Sequence, residues 1–259
     1  TVRLTTLPSG FRVVTDHMGG VETVSLGVWV DIGTRHEPAE VNGVAHLLEH
    51  MAFKGTERRS AIAIAEEIEA VGGHLNAYTS RESTAYYAKV LKEDAALALD
   101  ILADILLHSS FDAAEFERER TVILQEIGQA NDTPDDIIFD HFQEAAYPGQ
   151  PLGRSVLGSE EGIRAMPRSA LTGYMRRHVR HEILLLLLHH DVLGGVAPAR
   201  ATVQCLGPTT SPPQVPRLVV PIVVDAVQGE LVGPLAQILP EPQGELLEQF
   251  LRGNRVAER

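Results

Sequence analysis

With 259 residues, 44% of them hydrophobic, the chain has material for one large or two small domains with a true apolar core. Its 35 Asp and Glu against 22 Lys and Arg leave a formal charge of −13, a field that repels phosphate backbones and anionic lipid and argues against nucleic acid as a partner. The longest aliphatic run, Ile183 to Leu188, is far short of the roughly 20 residues a membrane-spanning helix needs, so no span is expected.

The first thirty residues alternate as strands do. Val2 to Leu7, Phe11 to Val14 and Val24 to Ile32 are rich in Val, Thr and aromatic residues and are punctuated by Pro8-Ser9-Gly10 and Gly19-Gly20, which predicts three antiparallel strands. Asn42-Gly43 then starts a helix over Val44 to Phe53. Ser60 caps a second, with Ile62, Ile64, Ala65, Ile68 and Val71 as its apolar face and Gly72-Gly73 as its stop. His74 to Thr79 and Ser83 to Leu91 read as strands, and long helical patterns follow at Glu93 to Leu107, Asp112 to Ala130 and Pro134 to Ala146, the second opened by an Asp112/Glu115 capping pair. Strands followed by helices, without strict βα alternation, predict an α+β fold, a mainly antiparallel sheet with helices packed on one face. From about His181 the character changes to a Leu run and then Gly194-Gly195, Pro208, Pro212-Pro213, Pro216, Pro221 and Pro240, with a last short helix expected at Gly244 to Gly253.

Within the first helix, His46, Leu47, Leu48, Glu49 and His50 spell H-x-x-E-H. Two imidazoles one helical turn apart face the same way and can grip one cation, while Glu49 on that flank reaches the water beside it. Glu126, inside the helix-patterned run Val122 to Ile127, offers a third ligand, since a catalytic zinc usually keeps three protein ligands and one open position; the plain alternative is a solvated carboxylate. Glu119, two turns earlier on nearly the same face, is placed to accept a hydrogen bond from a ligand histidine and fix its tautomer. Glu49 is the candidate general base, because a carboxylate beside water acidified by zinc can take its proton at ordinary pH.

The constellation resembles the inverted-zincin peptidases of the pitrilysin and mitochondrial processing peptidase group, most closely bacterial homologues of the processing peptidase β subunit. The residues that carry the resemblance are Gly43 to Gly55, Gly72 to Glu82, Tyr86 to Lys89, Glu117 to Arg120 and Val122 to Ile127. It implies His46, His50 and Glu126 as ligands of one Zn²⁺ per chain, Glu49 as base and Glu119 as its companion carboxylate in the catalytic set. It also implies that the strand around Asn76 and Ala77 binds an extended substrate by strand addition. Residues 1–180 follow the pattern as a zinc-binding catalytic half, whereas 181–259 diverge from it, either as a separate segment or as the completion of the same domain. The implied function is a zinc-dependent endopeptidase acting on peptides or presequence-like segments, with a second homologous half or subunit as partner; the alternatives are a non-catalytic subunit of the same fold and an inactive metal-binding fragment.

Several residues invite plainer readings. His189-His190 are adjacent and so point different ways, as in a solvated loop. His74 reads as structural or close to substrate, Tyr86 and Tyr87 as sheet packing, Arg81 and Glu82 as a surface pair, and Asn76 could be only a strand-end residue. Cys205, the one cysteine, has no partner for an internal disulfide and reads as a small buried hydrophobe. A lone thiol suits a reducing compartment, the bacterial cytoplasm or, in a eukaryote, the mitochondrial matrix. The acidic surface favours a basic peptide as substrate. Thr1 is not preceded by Met or by a charged-then-apolar leader, which leaves room for a targeting segment removed before it.

Overall fold

The structure is a computed structural model and describes residues 2–6, 12–18, 20–179 and 185–188. Six strands form one sheet: β1 (Val2–Thr6), β2 (Arg12–Asp16), β3 (Thr23–Val30), β4 (His74–Thr79), β5 (Thr84–Leu91) and β6 (Leu185–Leu188), in the order β1-β2-β6-β3-β5-β4. The helices are α1 (Val44–Ala52), α2 (Ala61–Ala70), α3 (Ala95–Leu107), α4 (Ala113–Asp132), α5 (Pro134–Ala146), α6 (Glu160–Ala165) and α7 (Arg168–Tyr174), the last running into a π-helical turn at Met175–Val179. The α+β layering read from the sequence is the observed one, with α1 and α2 on β4 and α3 on β3 and β5. His189-His190, Cys205 and the helix expected at Gly244 to Gly253 lie outside the described residues.

Strand pairing departs from expectation in one place. β1 and β2 form an antiparallel pair, but β2 and β3 are not neighbours, because β6 lies between them, parallel to β2 and antiparallel to β3. Alternation along the chain reports that a segment is a strand, not which strand it meets. The six residues between β2 and β3 reach up to about 20 Å, enough to step past one intervening strand over about 10 Å. The place left open is filled by part of the Leu run, whose uniformly apolar sequence suits an inner strand.

The sheet has two unlike faces, as period-2 alternation requires. Val24, Leu26, Val28 and Val30 of β3, Tyr86, Ala88 and Val90 of β5 and Ala77 of β4 are buried in the common core with Leu99, Leu102 and Leu106 of α3. The register sets Val28, Tyr86 and Ala77 side by side, and Gly27, Tyr87 and Asn76 in the next row on the opposite face. There Trp29 lies across Gly27, where a Cβ would come within 2.5 Å of the indole ring, and its Nε1–H donates to the Tyr78 hydroxyl at 3.0 Å.

The helices follow their sequence signals with small shifts. Ser60 caps α2 by accepting from Ala63 N, and Ile64 and Ile68 are buried, but Ile62 and Ala65 face outward. Ile62 is two residues from Ile64, some 200° round the helix, so the two cannot share a face. Lys92–Asp94 form a 3₁₀ turn before α3 begins. Asp112 caps α4 by accepting from Ala114 N and Glu115 N, while the Glu115 side chain turns to Arg118 rather than back to the cap. Arg81 and Glu82 do not pair with each other: Arg81 reaches Asp140 of α5 at 2.6 Å, and Glu82 pairs with Arg35.

Two buried carboxylates lock the ends of α1. At its start Gly43 adopts φ +95°, and a side chain there would meet the Leu157 carbonyl, so the cap position has no side chain of its own. Glu37 replaces it: 3% exposed, it accepts from Gly43 N at 2.8 Å, Ala45 N at 2.7 Å and Asn42 Nδ2 at 2.8 Å. Burial raises the Glu37 carboxyl above its ordinary value against the pull of these hydrogen bonds. Past the other end, Asp104 of α3 is fully buried and accepts from Thr56 Oγ1 at 2.7 Å, Arg58 Nε at 3.0 Å and Arg59 Nη1 at 3.0 Å, which fixes the loop leaving α1.

Two stability predictions follow from these anchors. Glu37→Ala strands two buried backbone N–H donors and should cost about 2–3 kcal/mol, read by urea unfolding, with faster amide exchange at Gly43 and Ala45. Asp104→Ala removes the fully buried acceptor shared by Thr56, Arg58 and Arg59, although Arg59 keeps Asp100 and Glu67, and should cost about 2 kcal/mol. Burial raises the Asp104 pKa, but the hydrogen bonds from Thr56, Arg58 and Arg59 outweigh it, so the net shift is downward. Its stabilising contribution is therefore complete above about pH 4 and is lost as pH falls through that value toward the lower folded-state pKa. The gap between wild type and Asp104→Ala should narrow in acid; a gap independent of pH would contradict this account.

Candidate metal centre

α1 is apolar on every flank but one. Val44, Ala45, Leu47, Leu48, Met51 and Ala52 are buried, which leaves His46, Glu49 and His50, spaced three and four residues apart, along the remaining flank. α4 packs against it with a buried stripe of Phe116, Glu119, Ile123 and Ile127. Glu119 lies within that stripe, and Glu126 projects beside Ile127.

The two helices bring the ligand candidates together. One Glu126 oxygen lies 3.8 Å from His46 Nε2 and 3.6 Å from His50 Nε2, the imidazole centroids are 4.7 Å apart at 71°, and the three donor atoms fall within 4.8 Å of one another. These separations are too long for hydrogen bonds, yet a tetrahedral ion with bonds of about 2.1 Å holds its ligands only about 3.4 Å apart. Glu126 Oε2 is buried and has no hydrogen-bond partner among the described residues, a state that a cation relieves. The donor set and its orphaned oxygen thus fit a zinc ion. Burial, aided by the neighbouring His50, lowers the His46 pKa to about 4, so the ring is neutral near pH 7, as a ligand must be.

Glu119, 7% exposed, accepts from His50 Nδ1 at 3.0 Å with one oxygen and from Lys54 Nζ at 2.8 Å with the other. That contact places the His50 proton on Nδ1 and leaves Nε2, the nitrogen facing Glu126, with a free lone pair. Burial raises the Glu49 pKa against the opposing influence of Thr79 and His50. Glu49 Oε2 is buried without a partner among the described residues. The hydroxyl of Tyr86, fully buried under α1, is near enough to feel the Glu49 charge.

Asn76 and Ala77 sit on β4, which is the sheet edge next to α1. Asn76 is exposed on the face away from the helices, its Oδ1 accepting from Ala77 N at 2.8 Å, while Ala77 faces α1. Thr79, farther along the same strand, donates its hydroxyl to the Ala45 carbonyl of α1 at 3.5 Å. His74 is exposed, Tyr86 is core, and Tyr87 packs on Tyr78. Sequence reasoning passed over Glu37, Lys54 and Thr79. A carboxylate six residues ahead of a capless Asn-Gly helix start was a usable signal for Glu37, but the Lys54 and Thr79 contacts bridge elements and had none.

Known proteins share much of this sequence and fold. The family profile described as insulinase (peptidase family M16) matches residues 12–160. The chain is 49% identical over 176 residues to a probable mitochondrial-processing peptidase subunit beta of Arabidopsis thaliana, covering 68% of this chain and 33% of that protein. It is 47% identical over 188 residues to an uncharacterized zinc protease of Mycobacterium leprae, 73% of this chain and 42% of that protein, so it spans well under half the length of these relatives. Among solved structures, a protease from Helicobacter pylori superposes with a TM-score of 0.67 at 23% identity, over 74% of this chain and 47% of that one. Pitrilysin does so with 0.65 at 23% identity, over 74% and 21%. With its profile matched over more than half its length, the chain belongs to the insulinase family, peptidase family M16.

Proposed function

We propose that this chain is the zinc-binding half of a metalloendopeptidase that hydrolyses extended, basic polypeptide segments. The observation that carries the reading is the meeting of His46, His50 and Glu126, whose donor atoms lie within 4.8 Å of one another around a buried, unpartnered carboxylate oxygen. Family membership, and the zinc protease and processing-peptidase names of its relatives, support it.

In this reading His46, His50 and Glu126 hold the ion. Bound there, zinc supplies Lewis acidity that acidifies water and polarises a carbonyl. Glu49 acts as general base: its raised pKa brings it toward the pH at which a carboxylate both accepts and returns a proton efficiently, and its unpartnered oxygen is free to do so. Glu119 is a positioning residue, keeping the His50 lone pair on Nε2. β4 offers an open edge beside α1 to which an extended peptide can add, with Asn76 and Ala77 at its backbone.

Residues 1–180 form the catalytic half, and the pairing of β6 within the same sheet supports a continuation of that domain past residue 181. Relatives named as β subunits support a second homologous half or subunit that completes the substrate chamber. No helix among the described residues is long and apolar enough to cross a membrane. A lone cysteine and the mitochondrial name of one relative support a reducing compartment, bacterial cytoplasm or mitochondrial matrix.

Purified without added metal, the chain should carry about one zinc by elemental analysis, and His50→Ala should remove it. Glu49→Gln should keep zinc and lose about 10²–10⁴-fold in hydrolysis, whereas Glu126→Gln should lose zinc itself; identical behaviour of the two would refute the division of roles. A basic peptide should be cleaved faster than an acidic one at low salt, the difference shrinking as salt screens the −13 charge. A second homologous half should raise the rate, since holding the substrate lowers the barrier by several kcal/mol, about 7 at the low end of oriented reactions. Full activity of the isolated chain, or equal rates on both peptides, would remove the corresponding part of the proposal.

A further inference from the structure

We propose that Lys54 is a positioning residue of the metal centre: its ammonium clamps one oxygen of Glu119 so that the other stays on the Nδ1–H of His50 and the Nε2 of His50 faces the cation. The inference rests on the metal-centre reading above and extends it to a group outside the H-x-x-E-H motif.

The geometry divides the Glu119 carboxylate between two partners. Lys54 Nζ lies 2.8 Å from Oε1 and His50 Nδ1 lies 3.0 Å from Oε2. A carboxylate held at one oxygen only can rotate and present either oxygen, or neither, to the imidazole; held at both it has one orientation.

Charge points the same way. Glu49, Glu119 and Glu126 put three carboxylates around the site, and the ion pairs found for Glu119 and Glu126 among the described residues are with His46, His50 and Lys54. Metal-ligating imidazoles are neutral, so Lys54 brings the cluster to two net negative charges, which a divalent cation balances. Without Lys54 a buried negative charge would remain uncompensated, a costly state.

The lysine is also held in place from its backbone. Lys54 follows the C-terminus of α1, with its N–H on the Met51 carbonyl at 3.2 Å, a position where a cation is favoured by the helix dipole. Gly55 O accepts from Ser110 N at 3.0 Å, and Thr56, Arg58 and Arg59 are bound to Asp104. The Asp104 cluster thus serves the metal centre at one remove, by fixing the loop that carries Lys54.

The test is zinc affinity of the purified 259-residue chain, measured by competition with a chromogenic chelator for wild type, Lys54→Met, Lys54→Arg, Glu119→Gln and the Lys54→Met/Glu119→Gln double variant. Thermal unfolding of each metal-free protein shows that it is folded. Lys54→Met should weaken zinc by about tenfold or more, the usual effect of losing a partner that orients a ligand, and Lys54→Arg should restore most of the affinity. Because Lys54 acts through Glu119, the double variant should bind no more weakly than Glu119→Gln alone. Unchanged or tighter binding by Lys54→Met, or losses that add in the double variant, would overturn the role of Lys54 while leaving the metal centre intact. Failure of the wild type to bind zinc would overturn the metal centre and this inference with it.

Discussion

Burying charge between α1 and α4 is the constraint around which this half of the molecule is organised. A contact between two helices is ordinarily closed with apolar side chains, and here it contains two imidazoles and the carboxylates of Glu49, Glu119 and Glu126. Such a cluster persists only if every charge has a counterpart. Lys54 answers for part of Glu119, and an unpartnered carboxylate oxygen is left at the space between His46, His50 and Glu126. A divalent cation is the simplest completion of that arrangement.

The surrounding fold prevents the cluster from relaxing in any other way. α1 cannot rotate to release its polar flank, because its other flanks are packed in the core and its two ends are held by Glu37 and, through the following loop, by Asp104. A short helix of nine residues is marginal by itself. Its rigidity is borrowed from the sheet beneath it, from α4 beside it and from two buried carboxylates that do no chemistry.

In the proposed function the same packing relates the centre to a route for substrate. β4 is at once the strand that touches α1 through Thr79 and Ala77 and the strand whose outer edge is unpaired among the described residues. A polypeptide laid along that edge would be held by its backbone, the part common to all sequences, so selectivity would have to come from side-chain contacts and from the acidic surface.

Much of this was legible in the residues. The spacing of His46, Glu49 and His50 places them on one helical flank by the geometry of the α-helix alone, and the seven-residue separation of Glu119 and Glu126 does the same on α4. Ser60 and Asp112 announced their helices because a capping side chain acts within three residues of itself. Local periodicity likewise revealed the first five strands, and with them the α+β class, but not β6, whose run of leucines has no alternation. What the tertiary structure decided were the relations between segments distant in the chain: β6 entering between β2 and β3, Arg81 choosing Asp140 over Glu82, Lys54 and His50 sharing Glu119, and Glu37 standing in for a missing cap. Backbone periodicity is a property of neighbours in sequence, whereas pairing, burial and charge compensation are properties of neighbours in space, which many sequences of the same local pattern could arrange differently.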